Sequence, residues 1–225
     1  MQSNLSLFVV IPAYFEEKTI GQVIDDVRSY TRNIVVVDDA SKDQTSTIAK
    51  DHGAVVLRHL VNRGQGAALQ TGNDYALKHG AEIIVHFDAD GQHQAKNIPK
   101  VVEPLLREDV DVVLGSRFMY GGMSNIPVSK RLFILPVARW VNFGFTGLSL
   151  TDGHNGWRAM NRKAARLISI TQDRMAHNTE IPYLIGKHKL SFKEVPVDVV
   201  YKEYGQGFGD GVKIVWDLVK NKFIK

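Results

Sequence analysis

Asp88 and Asp90 stand one residue apart, directly after the apolar run Ile83-Ile84-Val85-His86-Phe87. Alternate residues of an extended segment share a face, so both carboxylates can point to one side. Hard carboxylate oxygens suit Mg²⁺ or Mn²⁺, ions that usually share their coordination with substrate phosphates. An isolated Asp-x-Asp is more often an ordinary polar turn, so its surroundings have to decide.

Those surroundings repeat the arrangement. Pro12-Ala13-Tyr14-Phe15-Glu16-Glu17, Asp38-Asp39-Ala40-Ser41, Asn62-Arg63-Gly64-Gln65-Gly66 and Gly115-Ser116-Arg117 each close an apolar run, as Asp88-Ala89-Asp90-Gly91-Gln92-His93 does. Any one of these reads as a turn. Five along the carboxyl edge of a parallel sheet describe a crevice rich in carboxylates and backbone amides. Such a crevice suits a nucleotide whose diphosphate is held through a metal. Gly64 and Gly66 open a helix and can present amides to an anion; Gly64 can equally serve only a tight turn. The third glycine of a dinucleotide fingerprint is missing and no Gly-Lys-Ser/Thr occurs, which argues against a Rossmann oxidoreductase and against a P-loop.

The elements that must position these residues alternate. Leu5–Ile11, Ile34–Val37, Ala54–Leu57, Ile83–Phe87 and Val110–Gly115 read as strands. Glu16–Tyr30, Lys42–His52, Gly66–His79 and Ile98–Arg107 read as helices, with Ser41 or Asp43 as N-cap of the second and Gly80 ending the third. Strand–helix alternation at this spacing implies right-handed crossovers and an α/β fold around a mostly parallel sheet. The last third is less regular. Ser129–Gly147 is strongly apolar and interrupted by Pro136, Thr151–Arg158 reads as a loop, and helices are expected around Lys163–Ile170 and Thr179–Lys187. Leu190–Tyr201 reads as strand, Tyr204–Gly211 is glycine-rich, and Val212–Ile224 is a closing amphipathic helix.

The 225 residues are 44% hydrophobic and 23% charged, which fits one large α/β domain, or one domain with a short appendage. There is no cysteine, which excludes disulfides, zinc-thiolate sites and thiol nucleophiles. The formal net charge of +4 allows anionic substrates or an anionic membrane surface. No arginine-rich or aromatic-basic tract supports nucleic-acid binding. No secretory signal and no run of about 18 apolar residues is present, so a cytoplasmic chain is expected.

The ordered set Pro-Ala-Tyr-x-Glu, Val-Asp-Asp-x-Ser-x-Asp-x-Thr, Asn-x-Gly-x-Gly, Asp-Ala-Asp-Gly-Gln-His and Gly-Ser-Arg resembles family 2 glycosyltransferases. More narrowly it resembles the dolichol- or polyprenol-phosphate mannose and glucose synthase branch, over roughly residues 5–202. The resemblance implies a GT-A fold: one three-layer α/β/α domain over 1–203, with a donor-binding half to about 118, an acceptor half from about 119, and an appendage over 204–225. It implies metal-dependent, inverting transfer of a hexose from GDP-mannose or a UDP-sugar to a polyprenyl or dolichyl phosphate. Pro12, Ala13, Tyr14, Glu16 and Asp39 would then surround the donor, with Asp38 a partner or a brace. Asn62, Gly64, Gly66, Ala89 and His93 complete the donor-binding set. Asp88, Asp90 and Gln92 match the metal triplet. Arg117, Arg131 and Arg158 match acceptor positions, where a planar guanidinium suits a phosphate. Two departures stand out: Phe15 where the family usually has Asn, and Ala40 where it usually has Gly.

Family members that glycosylate a hydroxyl usually carry an acidic pair that takes the proton. The corresponding region here is His177-Asn178-Thr179-Glu180-Ile181, with one acid. A phosphate acceptor is already ionised and needs no base, so the lipid-phosphate reading is favoured. Glu180 and Asp152 are the candidate bases if the acceptor is instead a sugar hydroxyl in a cell-surface polysaccharide. A degenerate, non-enzymatic nucleotide-sugar-binding module is the third reading. Membrane contact would be peripheral, on the cytoplasmic face, through Phe133–Phe145 or the lysine-rich closing helix with Trp216 and Phe223, or through a separate membrane subunit. A homo-oligomer is compatible with all three readings.

Overall fold

The computed structural model describes residues 5–119, 143–144, 146–152 and 156–198. Within them a single sheet of seven strands runs in the order β3-β2-β1-β4-β6-β5-β7. The strands are β1 (Leu7–Ala13), β2 (Asn33–Asp38), β3 (Val55–Arg58), β4 (Ile83–His86), β5 (Val112–Ser116), β6 (Arg158–Asn161) and β7 (Phe192–Pro196). Every pairing is parallel except those of β6, which runs antiparallel between β4 and β5. The central strands are buried on both faces, which is why β1, β2 and β4 read as unbroken apolar runs.

Helices cover both faces. On one, α1 (Ile20–Arg28), α2 (Thr45–Asp51) and α4 (Ile98–Arg107) pack against Val9, Ile11, Val36, Val85 and Trp157. On the other, α3 (Gln65–Lys78), α5 (Arg162–Leu167) and α6 (His177–Lys187) pack against Val10, Val35, Ile84 and Met160. This is the three-layer α/β/α architecture expected. Gly72 lets α3 lie on β1, because a Cβ there would sit 2.2 Å from a Val10 methyl. Gly80, at φ +88, ends α3 just past its C-cap His79, as expected.

Two helices start later than their sequence spacing predicts. The amides of Phe15, Glu16 and Glu17 donate to Ser41 Oγ (3.0 Å), Thr45 Oγ1 (2.9 Å) and Asp43 Oδ2 (3.3 Å). These ties hold residues 15–17 on the β2–α2 loop, and α1 begins only at Ile20. Gln44 rather than Ser41 or Asp43 occupies the N-cap position of α2, although Asp43 still accepts the Thr45 amide at 3.1 Å. Strand β6 lies partly inside the segment read as a loop. No helix among the described residues is long and apolar enough to cross a membrane. Most of Ser129–Gly147, Arg131, Tyr204–Gly211 and the closing helix lie outside the described residues.

Candidate functional site

The loop after β4 carries the paired carboxylates. Asp90 Oδ1 accepts the Gln92 amide at 2.8 Å, and Gly91 takes φ +72, so the chain turns sharply behind them. Asp88 is held from two sides. Gln65, the first residue of α3, donates its Nε2 to Asp88 Oδ1 at 3.0 Å. His93 Nδ1 accepts the Asp88 amide at 3.2 Å, which leaves the ring proton on Nε2, 3.3 Å from Asp88 Oδ2. Burial lowers the His93 pKa, with the charges of Asp88 and Asp90 opposing it. The ring packs beside Trp157 and Phe87, at centroid distances of 4.9 and 5.6 Å. Gly156 closes the back of the site: a Cβ there would lie 2.5 Å from Asp88 Oδ2.

Glu16 shares this negative field. Burial raises its pKa first; a hydrogen bond from Thr19 opposes that, and the charges of Asp90, Asp43 and Asp88 raise it further. Carboxylates that repel one another in a half-buried crevice favour a bound cation. Among the described residues no three His, Cys, Asp or Glu side chains gather into a complete metal cage. Mg²⁺ and Mn²⁺ do not require one, since they commonly take one or two carboxylates and complete their shell with water and phosphate oxygens. The donor set therefore fits such an ion.

Asp38 and Asp39 are braces. Asp38 is fully buried and accepts the Ser41 amide (2.9 Å) and the Ser46 hydroxyl, with Arg58 Nε 3.6 Å away. Asp39 accepts the amides of Arg63 (2.9 Å) and Gly64 (2.6 Å) and lies 2.6 Å from His59 Nδ1. Burial alone would raise the Asp39 pKa; these bonds outweigh it, and the net shift is downward. Both Asp39 oxygens thus hold the β3–α3 loop. The glycines of that loop also differ from expectation. A Cβ on Gly64 or Gly66 would meet the carbonyl of Asp173 or Gln172, at 2.5 and 2.0 Å. The Asp173 carbonyl accepts the Ala67 amide, so the backbone of 172–174 covers the start of α3 that an anion was expected to occupy. Pro12 and Ala13 end β1 in the core, whereas Tyr14 stands half-exposed at the rim, edge-on to Phe15.

The expected acceptor residues divide. Arg117 and Asp152 meet in a two-pronged ion pair. The Asp152 amide donates in turn to Glu194, which also accepts the amide and hydroxyl of Thr151. Arg158 is buried on β6, its Nη2 2.5 Å from Asn178 Oδ1. Burial lowers its pKa to about 10, while Asp88 and Asp152 stabilise the cation. It is a fixed internal charge rather than a surface contact. Glu180 accepts the amides of Thr171 (3.0 Å) and Gln172 (2.9 Å) and so clips the 171–172 turn. Gln65, His59 and Glu194 do not stand out in the sequence as site residues. Of these only Gln65 carries a signal, as a polar residue flanked by two glycines at a strand-end loop.

The profile of glycosyl transferase family 2 matches residues 8–168. A UDP-N-acetylglucosamine–dolichyl-phosphate N-acetylglucosaminyltransferase of Methanococcus voltae is 32% identical, over 92% of this chain and 91% of its own length. An undecaprenyl-phosphate mannosyltransferase of Micrococcus luteus is 30% identical, over 96% and 92%. Glucosyl-3-phosphoglycerate synthase of Mycobacterium tuberculosis, crystallised with Mn²⁺, UDP and glucosyl-3-phosphoglycerate, superposes with a TM-score of 0.70 at 22% identity, covering 96% of this chain and 78% of that one. The shared fold is GT-A, and the chain belongs to glycosyl transferase family 2, a family of glycosyltransferases.

Proposed function

We propose that this glycosyltransferase moves a hexose unit from a nucleotide diphosphate sugar, GDP-mannose or a UDP-sugar, to a polyprenyl or dolichyl phosphate. The observation that carries the reading is the engagement of both candidate bases. Asp152 is neutralised by Arg117, and Glu180 spends its oxygens on backbone amides. A hydroxyl acceptor needs a free carboxylate to take its proton; an ionised phosphate does not. The full-length similarity to two lipid-phosphate transferases supports the same reading.

Asp88 and Asp90 would hold a divalent cation, with Gln92 as the further ligand the family resemblance implies. When bound, that ion supplies charge neutralisation for the departing diphosphate. Gln65 and His93 fix the Asp88 carboxylate, and Gly156 lets it sit close to the backbone that leads into β6. Tyr14 and Glu16 would line the donor pocket. An acceptor phosphate oxygen attacks the anomeric carbon as the bond to the diphosphate breaks. The nucleoside diphosphate leaves with the electron pair, the anomeric configuration inverts, and no proton moves. The family resemblance assigns Arg117 and Arg131 to the acceptor phosphate.

The test is incubation with Mn²⁺, a panel of UDP- and GDP-sugars, and undecaprenyl or dolichyl phosphate, followed by solvent extraction. A lipid-linked sugar is expected from at least one donor. Transfer to a soluble sugar acceptor, with no lipid product, would overturn the reading.

A further inference from the structure

The β3–α3 loop holds its two apolar residues in water. Leu60 is 99% exposed and Val61 66% exposed, while both ends of the loop are fastened. The His59 amide donates to the Asp38 carbonyl (2.9 Å), and the His59 ring bridges Asp39 (2.6 Å) and Thr71 (2.9 Å). On the far side Asn62 reaches the Asp39 carbonyl, and Arg63 and Gly64 give their amides to the Asp39 carboxylate. Only the two-residue tip is unheld. It cannot fold back without breaking that clasp, so the exposure belongs to the fold.

We infer that Leu60 and Val61 form an interfacial membrane anchor that sets the crevice of this enzyme against an anionic bilayer. The inference rests on the lipid-phosphate reading of the acceptor. Arg58 and Arg63 flank the tip, with side chains 53% and 51% exposed; the Arg58 guanidinium is tied inward to the Ser41 carbonyl and Asp38, so Arg63 is the cation the tip chiefly offers to lipid. Aliphatic tips between arginines suit the headgroup boundary, where acyl chains take the apolar atoms and anionic lipids attract the cations. Asp173 lies 3.4 Å from Arg63, but a pair this exposed is strongly screened. A protein partner is the weaker occupant. Stable protein interfaces bury about 800 Å² per partner, far beyond two aliphatic side chains, whereas a bilayer requires no matching surface. The placement is also productive. Gln65, which holds Asp88, follows Leu60 by five residues, a reach of at most about 18 Å.

The experiment compares the full chain with the Leu60→Ser/Val61→Ser double variant for co-sedimentation with phosphatidylcholine–phosphatidylglycerol vesicles, without donor or acceptor. Wild type should bind, and the variant should bind roughly ten-fold more weakly or less. With detergent-dispersed polyprenyl phosphate the two should transfer sugar equally well. A separate variant, Leu60→Trp, should show a blue shift in emission, beyond any in wild type, when the vesicles are added. Absence of vesicle binding by wild type, unchanged binding by the double variant, or Leu60→Trp emission that responds to vesicles no more than wild type each overturns the anchor. So does self-association of wild type that the double variant abolishes, since a second copy would then cover the tip. Failure of the detergent assay in both proteins would instead count against the lipid-phosphate reading, leaving the vesicle result to stand by itself.

Discussion

Arg117 and Asp152 bind each other at three points: Nε to Oδ2 at 2.7 Å, Nη2 to Oδ1 at 2.9 Å, and the Arg117 amide to Oδ2 at 3.1 Å. The Asp152 side chain is almost fully buried and the Arg117 side chain about three-quarters buried. Removing the anion takes a buried, doubly bonded carboxylate away from a cation in a poorly solvated place. Asp152→Ala should therefore cost about 2–4 kcal/mol in urea unfolding. Arg117→Lys should cost less, about 1–2 kcal/mol, because a charge remains but the two-point fork is lost. Asp152→Ala melting like wild type would show that the pair is dispensable.

Gly156→Ala separates binding from folding. The new methyl would press on Asp88 Oδ2, a side-chain atom that can yield by breaking its bond to Gln65, so stability should fall by only about 1 kcal/mol. Displacing Asp88 should weaken Mn²⁺ binding by roughly ten-fold or more, read by titration calorimetry in the presence of the nucleoside diphosphate. Gly66→Ala should do the opposite. Its methyl would meet the Gln172 carbonyl at 2.0 Å, and backbone yields far less readily. Unfolding data should show the larger loss there.

Phe15 and Ala40 both sit in left-handed backbone, at φ +58 and +66. This accounts for the Asn and Gly that family 2 usually places there: both residues tolerate positive φ. Ala40→Gly should stabilise by about 0.5–1 kcal/mol, the relief of strain outweighing the added freedom of the unfolded chain. Phe15→Asn should act in the same direction, since Phe15 is half-exposed and packs little. A lower melting temperature in both would refute the assignment of strain.

His177 makes stability fall in acid. Burial, reinforced by the Arg158 charge, lowers its pKa to about 4, against about 6.5 when unfolded. The contribution is complete above pH 6.5 and is lost as the pH falls towards 4, because the unfolded chain takes up the proton first. At pH 5 the loss is about 2 kcal/mol. His86, buried and bonded to Asn73, shifts the same way and adds to the slope. His177→Gln should flatten the profile between pH 7 and pH 5 in paired urea titrations. An unchanged slope would mean that another group governs it.

Strands β1, β2 and β4 were legible because each is a β-branched run between turn residues, and a doubly buried strand has to be one. Strand β6 was not. Arg-Ala-Met-Asn has no β-branched residue, and its pairing with β4 and β5 is fixed by partners distant in the chain. The late starts of α1 and α2 follow the same rule, since the ties between residues 15–17 and 41–45 are tertiary. In the site, Asp88 and Asp90 could be read from their position after a strand. Arg117 and Arg158 read as acceptor contacts and Asp152 and Glu180 as candidate bases, but the internal bonds each one makes could not be read. What each does depends on a partner 8 to 42 residues away.

The insertion of β6 between β4 and β5 fixes an order of events during synthesis. Strand β5 leaves the ribosome before either of its sheet neighbours, β6 or β7, has been made. Until residues 158–161 arrive, the nascent sheet ends at β4 with an open apolar edge. Chains paused in that state display the template on which strands of other molecules add. A break near residue 118 would not release a smaller folding unit. It would make that unfinished edge permanent.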